Sequence, residues 1–282
     1  MANIHPLAVV DSNAVLGSDI SIGPFAVIHR GVTIGDGCRL ASHVVVKEGT
    51  SLGKDNEVSE GVVLGGKPQH LQAGQQLGRL LIGNGNTIRE NATLHRGLTT
   101  GSDTIVGDNN LIMVNVHIAH DCQLGNHLIL ANNVMMAGHV TLGDHAYLSG
   151  GVAIHQFCRI GAYTMVGGQA HIKRDVPPYV TVDGNVSQIV GLNLIGLRRN
   201  HFSVTDIRQL KAAYRTIYRS GLKWSEVLTA LKAQYFEGPA ADFHAFLSQG
   251  KRGFLPERST PRAATLRIAE VDESPADNQA ER

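Results

Sequence analysis

Aliphatic residues recur at every sixth position from Ile4 to Ile172, and the phase never slips. The beat runs Ile4, Val10, Leu16, Ile22, Ile28, Ile34, Leu40, Val46, Leu52, Val58 and Leu64, resumes at Ile82, Ile88 and Leu94, and continues from Val106 through Ile172. It fails only at His70, Gln76 and Thr100, in polar stretches rich in glycine. Two residues before each aliphatic sits a second position, usually small or apolar, as at Ala26, Val32, Cys38, Val62, Ala92, Val134 and Cys158. Side chains two apart on a strand share a face, so both point inward and the residue between them points out. Glycine follows the aliphatic at Gly17, Gly35, Gly53, Gly107, Gly125, Gly143 and Gly161, on an eighteen-residue beat. Glycine accepts the unusual backbone angles of a tight corner. The pattern predicts a triangular solenoid: three short strands per coil, each coil buried only by its neighbours. Roughly nine coils are expected, about 4.8 Å apart.

Two excursions interrupt the coils, one over 65–79 and a shorter one over 97–103. Loops carried on a rigid scaffold commonly hold binding residues. The beat stops at Asp175-Val-Pro-Pro-Tyr179, and a linker is expected through Asn193 and Arg199. The period then changes. Ile207, Leu210, Tyr214, Ile217 and Tyr218 follow helical spacing, with Ser203 and Asp206 as a capping box and Gly221 as the stop. Further helices are predicted from Trp224 to Tyr235 and around 241–247. The expected organisation is a β-helical domain over 1–190, a helical domain over 191–250 and a polar, Pro-containing tail over 251–282 that reads as disordered. Lys211, Arg215, Arg219 and Lys223 recur every four residues and form a basic stripe, either a solvated face or a dock for an acidic partner.

Composition narrows the function classes. A net charge of +1 over 282 residues gives no electrostatic bias toward nucleic acid. No apolar run approaches the roughly 18 residues of a membrane span. The first ten residues lack a secretory signal pattern and already carry the repeat, so a cytoplasmic location is expected. Cys38, Cys122 and Cys158 all occupy the inward position and read as buried, reduced packing residues.

The unbroken run from Val106 to Ile172 places residues eighteen apart one above another. His120, Gly138 and Gln156 share a column, Asp121, His139 and Phe157 share the next, and His117 and His155 flank them. Histidine is the side chain best suited to proton transfer near neutral pH, and a nearby carboxylate can hold its tautomer. Gly138, one coil of about 5 Å from His120, has no side chain to keep its N–H from a developing oxyanion. Base and oxyanion donor on adjacent coils suit acyl transfer to a hydroxyl. With the cysteines inward and no serine placed to attack, direct attack by substrate is expected instead of an acyl-enzyme. Histidines meeting across subunits would also suit zinc.

His117-Ile-Ala-His-Asp-Cys122, Leu130-Ala-Asn-Asn133, Ala137-Gly-His-Val140, Ile154-His-Gln-Phe157, Val166-Gly-Gly168, Asp175-Val-Pro-Pro-Tyr179 and Gly191-Leu-Asn193 occur in that order. Ile88-Arg-Glu90 and Leu94-His-Arg-Gly97 precede them. This series resembles the acyl-carrier-protein-dependent UDP-N-acetylglucosamine O-acyltransferases over nearly the whole chain to about Gly250. The resemblance implies a left-handed parallel β-helix with a small helical carboxy-terminal domain, assembled as a homotrimer with active sites between subunits. It implies transfer of a 3-hydroxyacyl chain from acyl carrier protein to the sugar 3-hydroxyl, the first step of lipid A synthesis, with no cofactor and no metal. His120 would be the general base, Asp121 its orienting partner and the Gly138 N–H the oxyanion donor. His95, His117, His139 and His155 would line the cleft. Gln69, Gln156, Asn193 and Arg199 match positions that bind the nucleotide sugar, and Gly168 the region that limits acyl length. The basic stripe would help dock the acidic carrier.

The chain departs from the family pattern on the sugar-nucleotide side. His70 and Gln72 replace an acid and a lysine in the first excursion, Ile195 stands where an acid is usual, and Asn200 replaces the second arginine of a pair. A UDP-2,3-diamino sugar is therefore an alternative acceptor. Other readings of the same repeat are the N-acyltransferase acting later in the pathway, a zinc carbonic anhydrase of the γ type, and a non-enzymatic scaffold. The N-acyltransferase carries an extra uridine-binding domain ahead of its solenoid, whereas here the repeat begins by Ile4.

Overall fold

The computed structural model describes residues 2–259. The hexads fold into three sheets that form the faces of a prism, with eleven, nine and eight strands, parallel throughout except for the last strand of the first sheet. Most strands are two residues long and pair with the strand one coil away, so Ile118 aligns with Met136 and Met136 with Ile154. The aliphatic beat and the position two residues earlier both face the axis. Ala26 and Ile28, Val134 and Met136, and Val152 and Ile154 are all buried. Each fully buried aliphatic contributes about 1.5–3 kcal/mol, which makes the stack of coils the main source of stability. All three cysteines are free and buried in this column.

Three of the inward positions hold asparagine, and they form a ladder. The backbone N–H and side-chain amide of Asn86 both donate to Asn56 Oδ1 at 3.0 Å. Asn110 N–H donates to Asn86 Oδ1 at 2.9 Å, and Leu128 N–H to Asn110 Oδ1 at 2.7 Å. Each carbonyl thus takes a buried backbone donor of the coil above, where an unpaired N–H would be costly.

The corners differ from the expectation. The left-handed conformation falls three residues after most of the aliphatics, among them at Asp19, Asp55, Asn109, Asp121, His127, Asn133 and His139, with φ between 54° and 61° at these seven. The recurrent glycines sit two residues before a left-handed residue, as Gly17 does before Asp19 and Gly107 before Asn109, and are themselves required by crowding. A Cβ on Gly35 would lie 2.6 Å from the Gly53 carbonyl carbon, and one on Gly107 2.6 Å from the Gly125 oxygen. Coils stack so closely there that no side chain fits between them.

Beyond Ile172 the solenoid continues for one more strand. Val180–Val182 pairs in parallel with Met165–Val166 and antiparallel with Ile189–Leu192. The expected linker is instead helix α1, Leu194–Arg199, capped by Asn193. Helix α2, Val204–Arg219, starts on the Ser203–Asp206 capping box. Helices α3, Trp224–Gln234, and α4, Ala241–Leu247, follow. They close a second core around Leu197, Leu210, Leu231 and Phe243, which meets the prism through Tyr179.

The tail departs from the expected disorder up to residue 259. Leu255 is buried, and its N–H donates to the Asp175 carbonyl at 3.0 Å. Asp175 N–H donates to Gly253 at 3.0 Å, and Arg258 N–H to Ile189 at 2.8 Å. A short polar segment is ordered here because its backbone pairs with the last coil. The rest of the expected disordered tail lies outside the described residues.

Candidate active site

One edge of the prism joins the second sheet to the third. In three successive coils the chain crosses it after Val63–Gly66, after Thr93–His95 and after His117–Ile118. The first two crossings are the excursions over 65–79 and 97–103; the third is the tight corner carrying His120 and Asp121. Both loops therefore fold against that corner.

His120 and Asp121 are buried. His120 Nδ1 lies 2.6 Å from Asp121 Oδ2. The left-handed backbone of Asp121, φ 60°, allows consecutive side chains to meet in this way. Thr104, inward in the coil before, accepts the Asp121 N–H at 2.8 Å. Leu98 N–H, from the second excursion, donates to Asp121 Oδ1 at 3.2 Å. Burial pushes Asp121 upward, but hydrogen bonds from Ser102, His120 and Leu98 together outweigh it and hold the carboxyl below its ordinary range. Asp121 is thus an ionised acceptor that takes the Nδ1 proton of His120 in a hydrogen bond and leaves Nε2 with its lone pair outward.

Gly138 faces that Nε2. A Cβ there would fall 2.7 Å from Nε2 and 2.6 Å from Cε1 of His120. The Gly138 N–H has no acceptor among the described residues. His139, also left-handed, sits edge-on to His120 with ring centroids 5.2 Å apart and stacks on Phe157 at 4.5 Å. Its Nε2 is 3.6 Å from Asp121 Oδ2. Burial holds His139 below the ordinary histidine range. His95 and His117 pack edge to face at 5.0 Å, and both are likewise lowered by burial. His95 Nδ1 is bonded to the Lys67 carbonyl at 2.8 Å, and His117 Nδ1 to Thr93 Oγ1 at 2.9 Å. These neighbours are therefore neutral at pH 7 and shape the cleft without adding charge.

From the first excursion, His70 lies edge-on to His120 at 5.4 Å and accepts the Gln72 N–H at 3.1 Å. Gln69 and Gln72 are exposed on that loop. His155 and Gln156 are exposed one coil above Gly138. Ligand atoms of His120, Asp121 and His139 lie within 4.8 Å of one another. Asp121 and His120 Nδ1 already satisfy each other, however, so the donor set suits proton transfer better than a metal.

Other expected residues lie elsewhere in the protomer. Gly168 turns a different corner, between Met165–Val166 and His171–Ile172. Asn193 and Arg199 line a cavity of about 830 Å³ with His145, Tyr163, Ile195 and Asn200, beside α1. The Asn193 amide is largely committed to structure: it accepts the Gly196 N–H at 3.0 Å and donates to the Tyr163 carbonyl at 2.9 Å. The basic stripe is shorter than expected. Lys211, Arg215 and Arg219 are exposed on α2, but Arg219 pairs with Glu257, and Lys223 lies past the helix end as the residue before α3.

Sequence reasoning missed Thr104, Ser102 and the Leu98 N–H as supports of the dyad. Thr104 occupies a regular inward position, and its polar identity was the available signal. It also missed a second aromatic column, His127, His145, Tyr163 and Tyr179, stacked at successive centroid distances of 4.8, 4.6 and 5.8 Å.

Comparison with known proteins gives a consistent picture. Residues 175–255 match the model of UDP N-acetylglucosamine O-acyltransferase domain 2, and residues 13–48 and 103–138 match the bacterial transferase hexapeptide model. The acyl-[acyl-carrier-protein]–UDP-N-acetylglucosamine O-acyltransferase of Halorhodospira halophila is 47% identical over 259 residues, covering 90% of this chain and 100% of that protein. The enzyme of the same description from Neisseria gonorrhoeae is 45% identical over 257 residues, with the same coverage. Among solved structures, the UDP-N-acetylglucosamine acyltransferase of Francisella novicida superposes with a TM-score of 0.88 at 36% identity, covering 91% of this chain and 95% of that one. The UDP-N-acetylglucosamine O-acyltransferase of Moraxella catarrhalis gives 0.85 at 40% identity, covering 89% and 99%.

Proposed function

The chain belongs to the acyl-carrier-protein-dependent UDP-N-acetylglucosamine O-acyltransferases, a family of left-handed β-helical enzymes, and on that premise we propose how its residues perform the transfer. The reaction moves an acyl chain from acyl carrier protein to UDP-N-acetylglucosamine. In our reading the chain is a 3-hydroxyacyl group, the acceptor oxygen is the sugar 3-hydroxyl, and the product opens lipid A synthesis in the cytoplasm. No helix of the described residues is long and apolar enough to cross a membrane, which suits a donor and an acceptor that are both carried in water.

The observation that carries this reading is the 2.6 Å bond between His120 Nδ1 and Asp121, with Nε2 turned toward Gly138. His120 Nε2 takes the proton of the sugar hydroxyl as its oxygen attacks the thioester carbonyl. Asp121 stabilises the imidazolium that forms. The carbonyl oxygen gains negative charge and is met by the free N–H of Gly138. Collapse breaks the carbon–sulfur bond, and the imidazolium returns its proton to the departing thiolate. Cysteine does not intervene: burial pushes Cys122 up to about 12 and Cys158 to about 11, and both face the axis. All the groups used are side chains and backbone of this chain, so no cofactor is called for.

The site is completed by a second copy in a homotrimer. The catalytic edge joins the second and third sheets, whereas Asn193 and Arg199 line a cavity over the first sheet. Packing prisms side by side around a threefold axis would set the nucleotide pocket of one against the catalytic edge of the next. Lys211 and Arg215 on α2 then offer a basic face to the acidic carrier.

The experiment is acyl transfer from a panel of 3-hydroxyacyl carrier proteins to UDP-N-acetylglucosamine, with mass spectrometry of the product. A new ester that vanishes in His120→Ala, with the trimer intact, is the expected result. Persistent transfer in the variant would remove His120 from its role.

A further inference from the structure

The run over 67–78 lacks the aliphatic beat and folds at its tip on itself. The His70 carbonyl accepts the Ala73 N–H at 3.0 Å, and the His70 ring accepts the Gln72 N–H at 3.1 Å through Nδ1. Leu71 beside it is exposed. Among the described residues, every hydrogen bond from 67–78 to the prism runs to His95, Arg96 or Gly97. His95 Nδ1 meets the Lys67 carbonyl at 2.8 Å, the Gly97 carbonyl accepts the Gly78 N–H at 2.9 Å, and Arg96 Nε donates to the Gly78 carbonyl at 2.8 Å. The loop is therefore held at its stems, by three consecutive residues of the next crossing.

Arg96 does more than close one stem. Its backbone N–H donates to the Gly66 carbonyl at 3.1 Å, where the loop departs. Its Nη1 donates to the Glu48 carbonyl at 2.7 Å, on the coil before the loop. A Cβ on Gly49 would lie 2.8 Å from Arg96 Cζ, so the guanidinium rests against bare backbone there. No carboxylate pairs with Arg96 among the described residues. Arg96 thus reaches from the coil above the loop to the coil below it, with its fork committed to two carbonyls and both stems tied to one residue.

We propose that Arg96 is a positioning residue for the acceptor: by pinning the stems of this loop it holds His70 against the base without touching substrate itself. The inference rests on the acyl-transfer reading above. The tip has no anchor of its own on the prism, yet it brings the His70 ring to 5.4 Å from the His120 ring. A hydroxyl within reach of His120 Nε2, about 3 Å away, enters beside that ring. The donor's carbonyl belongs on the other side, at Gly138 one coil above. Released stems would let the tip sample many arrangements, of which a fraction meets the acceptor. Apparent affinity falls by that fraction, whereas saturating acceptor restores the closed form. Loss of Arg96 therefore acts on the KM for the acceptor and spares kcat. Lysine offers a point charge in place of a fork and serves one carbonyl at a time.

The test pairs steady-state kinetics with calorimetric binding of UDP-N-acetylglucosamine. Arg96→Gln should raise the KM for UDP-N-acetylglucosamine about tenfold or more, the scale of a lost charge-assisted bond, and the dissociation constant in step. Saturated kcat and the KM for the acyl carrier donor should match the parent, and Arg96→Lys should fall between. His70→Ala, at the exposed tip, separates positioning from bulk stability. Combined with Arg96→Gln it should raise KM by less than the product of the two single effects, because the stems have less to place once the ring is gone. A multiplicative result would overturn the proposal. A fall in kcat at unchanged KM would overturn it as well, since a structural residue lowers the amount of folded enzyme and leaves affinity alone. A rise confined to the donor KM would reject it and assign the loop to the acyl carrier. No transfer by the unaltered enzyme would instead sink the acyl-transfer reading on which the proposal stands, a result that no Arg96 variant can mimic.

Discussion

His120 Nδ1 and Asp121 Oδ2, on adjacent residues of one corner, lie 2.6 Å apart. Adjacent side chains on an extended strand point to opposite faces. Here the positive φ of Asp121 swings its carboxylate back to the ring, and Thr104 and Leu98 fix it there. Two replacements separate base from orienter. His120→Ala should lower kcat by about 10²–10⁴-fold. Asp121→Asn should lower it by a similar order, because the amide can donate to Nδ1 and favour the wrong tautomer. Both should keep the far-ultraviolet spectrum and oligomeric state of the parent. Steady-state kinetics beside those controls decides the matter, and an active Asp121→Asn enzyme would show that orientation is supplied by something else.

Gly138→Ala probes the space in front of the base. The new methyl would lie 2.6–2.7 Å from His120 ring atoms, closer than van der Waals contact permits. The ring must turn away or the corner must shift. Turnover should fall about a hundredfold or more, with thermal stability changed by only about 1–3 kcal/mol, the usual cost of overpacking. An unchanged kcat would place the oxyanion donor elsewhere.

Burial holds His95, His117 and His139 below the ordinary histidine range. In the unfolded chain they titrate near pH 6.5. Below that value the unfolded state takes up protons that the folded state resists, so stability falls with falling pH. The contribution is fully present above about pH 6.5 and is lost progressively as pH drops toward the depressed folded values. Melting temperature measured from pH 8 to 5 should decline on the acid side. His95→Gln should flatten that decline, and a slope identical to the parent's would reject the assignment.

Asn86→Ala breaks the internal ladder. It removes the amide that donates to Asn56 and leaves the Asn110 N–H buried without its acceptor. The loss should be about 2–4 kcal/mol, from an orphaned donor and a small cavity together. Urea unfolding of the variant measures it. Activity of the folded fraction should persist, because the ladder lies on the axis and the catalytic corner does not.

The strands were legible because a six-residue period leaves few alternatives: two inward positions per hexad appear as two regular tracks of apolar residues. The same arithmetic brought His120, Gly138 and Gln156 into one column, since a register of eighteen allows nothing else. What remained hidden depended on shape. The left-handed residue is three places past the aliphatic and is filled by Asp, Asn, His, Phe, Tyr, Gln or glycine, so no residue type marks it, and the glycines that drew notice answer to crowding. Helix α1 has only six residues and is begun by the Asn193 side chain, too short for a helical period to emerge. The segment over 251–259 looks polar and unstructured, yet Asp175, Ile189 and Arg219 supply its partners from distant parts of the chain. The approach of His70 to His120 depends on how a 65–79 loop folds, which periodicity does not address.

Both excursions leave the same edge in consecutive coils, immediately below the corner of His120 and Asp121, at the cost of one register shift between Leu64 and Gly66, and rejoin the third sheet in unbroken register. Frame and selectivity are thereby separable. Grafting either loop from a relative with a different acceptor should change what reaches His120 while every rung of the third sheet keeps its neighbours. An architecture of this kind lets chemistry stay constant as preference drifts, since the parts that choose are hung from the parts that hold.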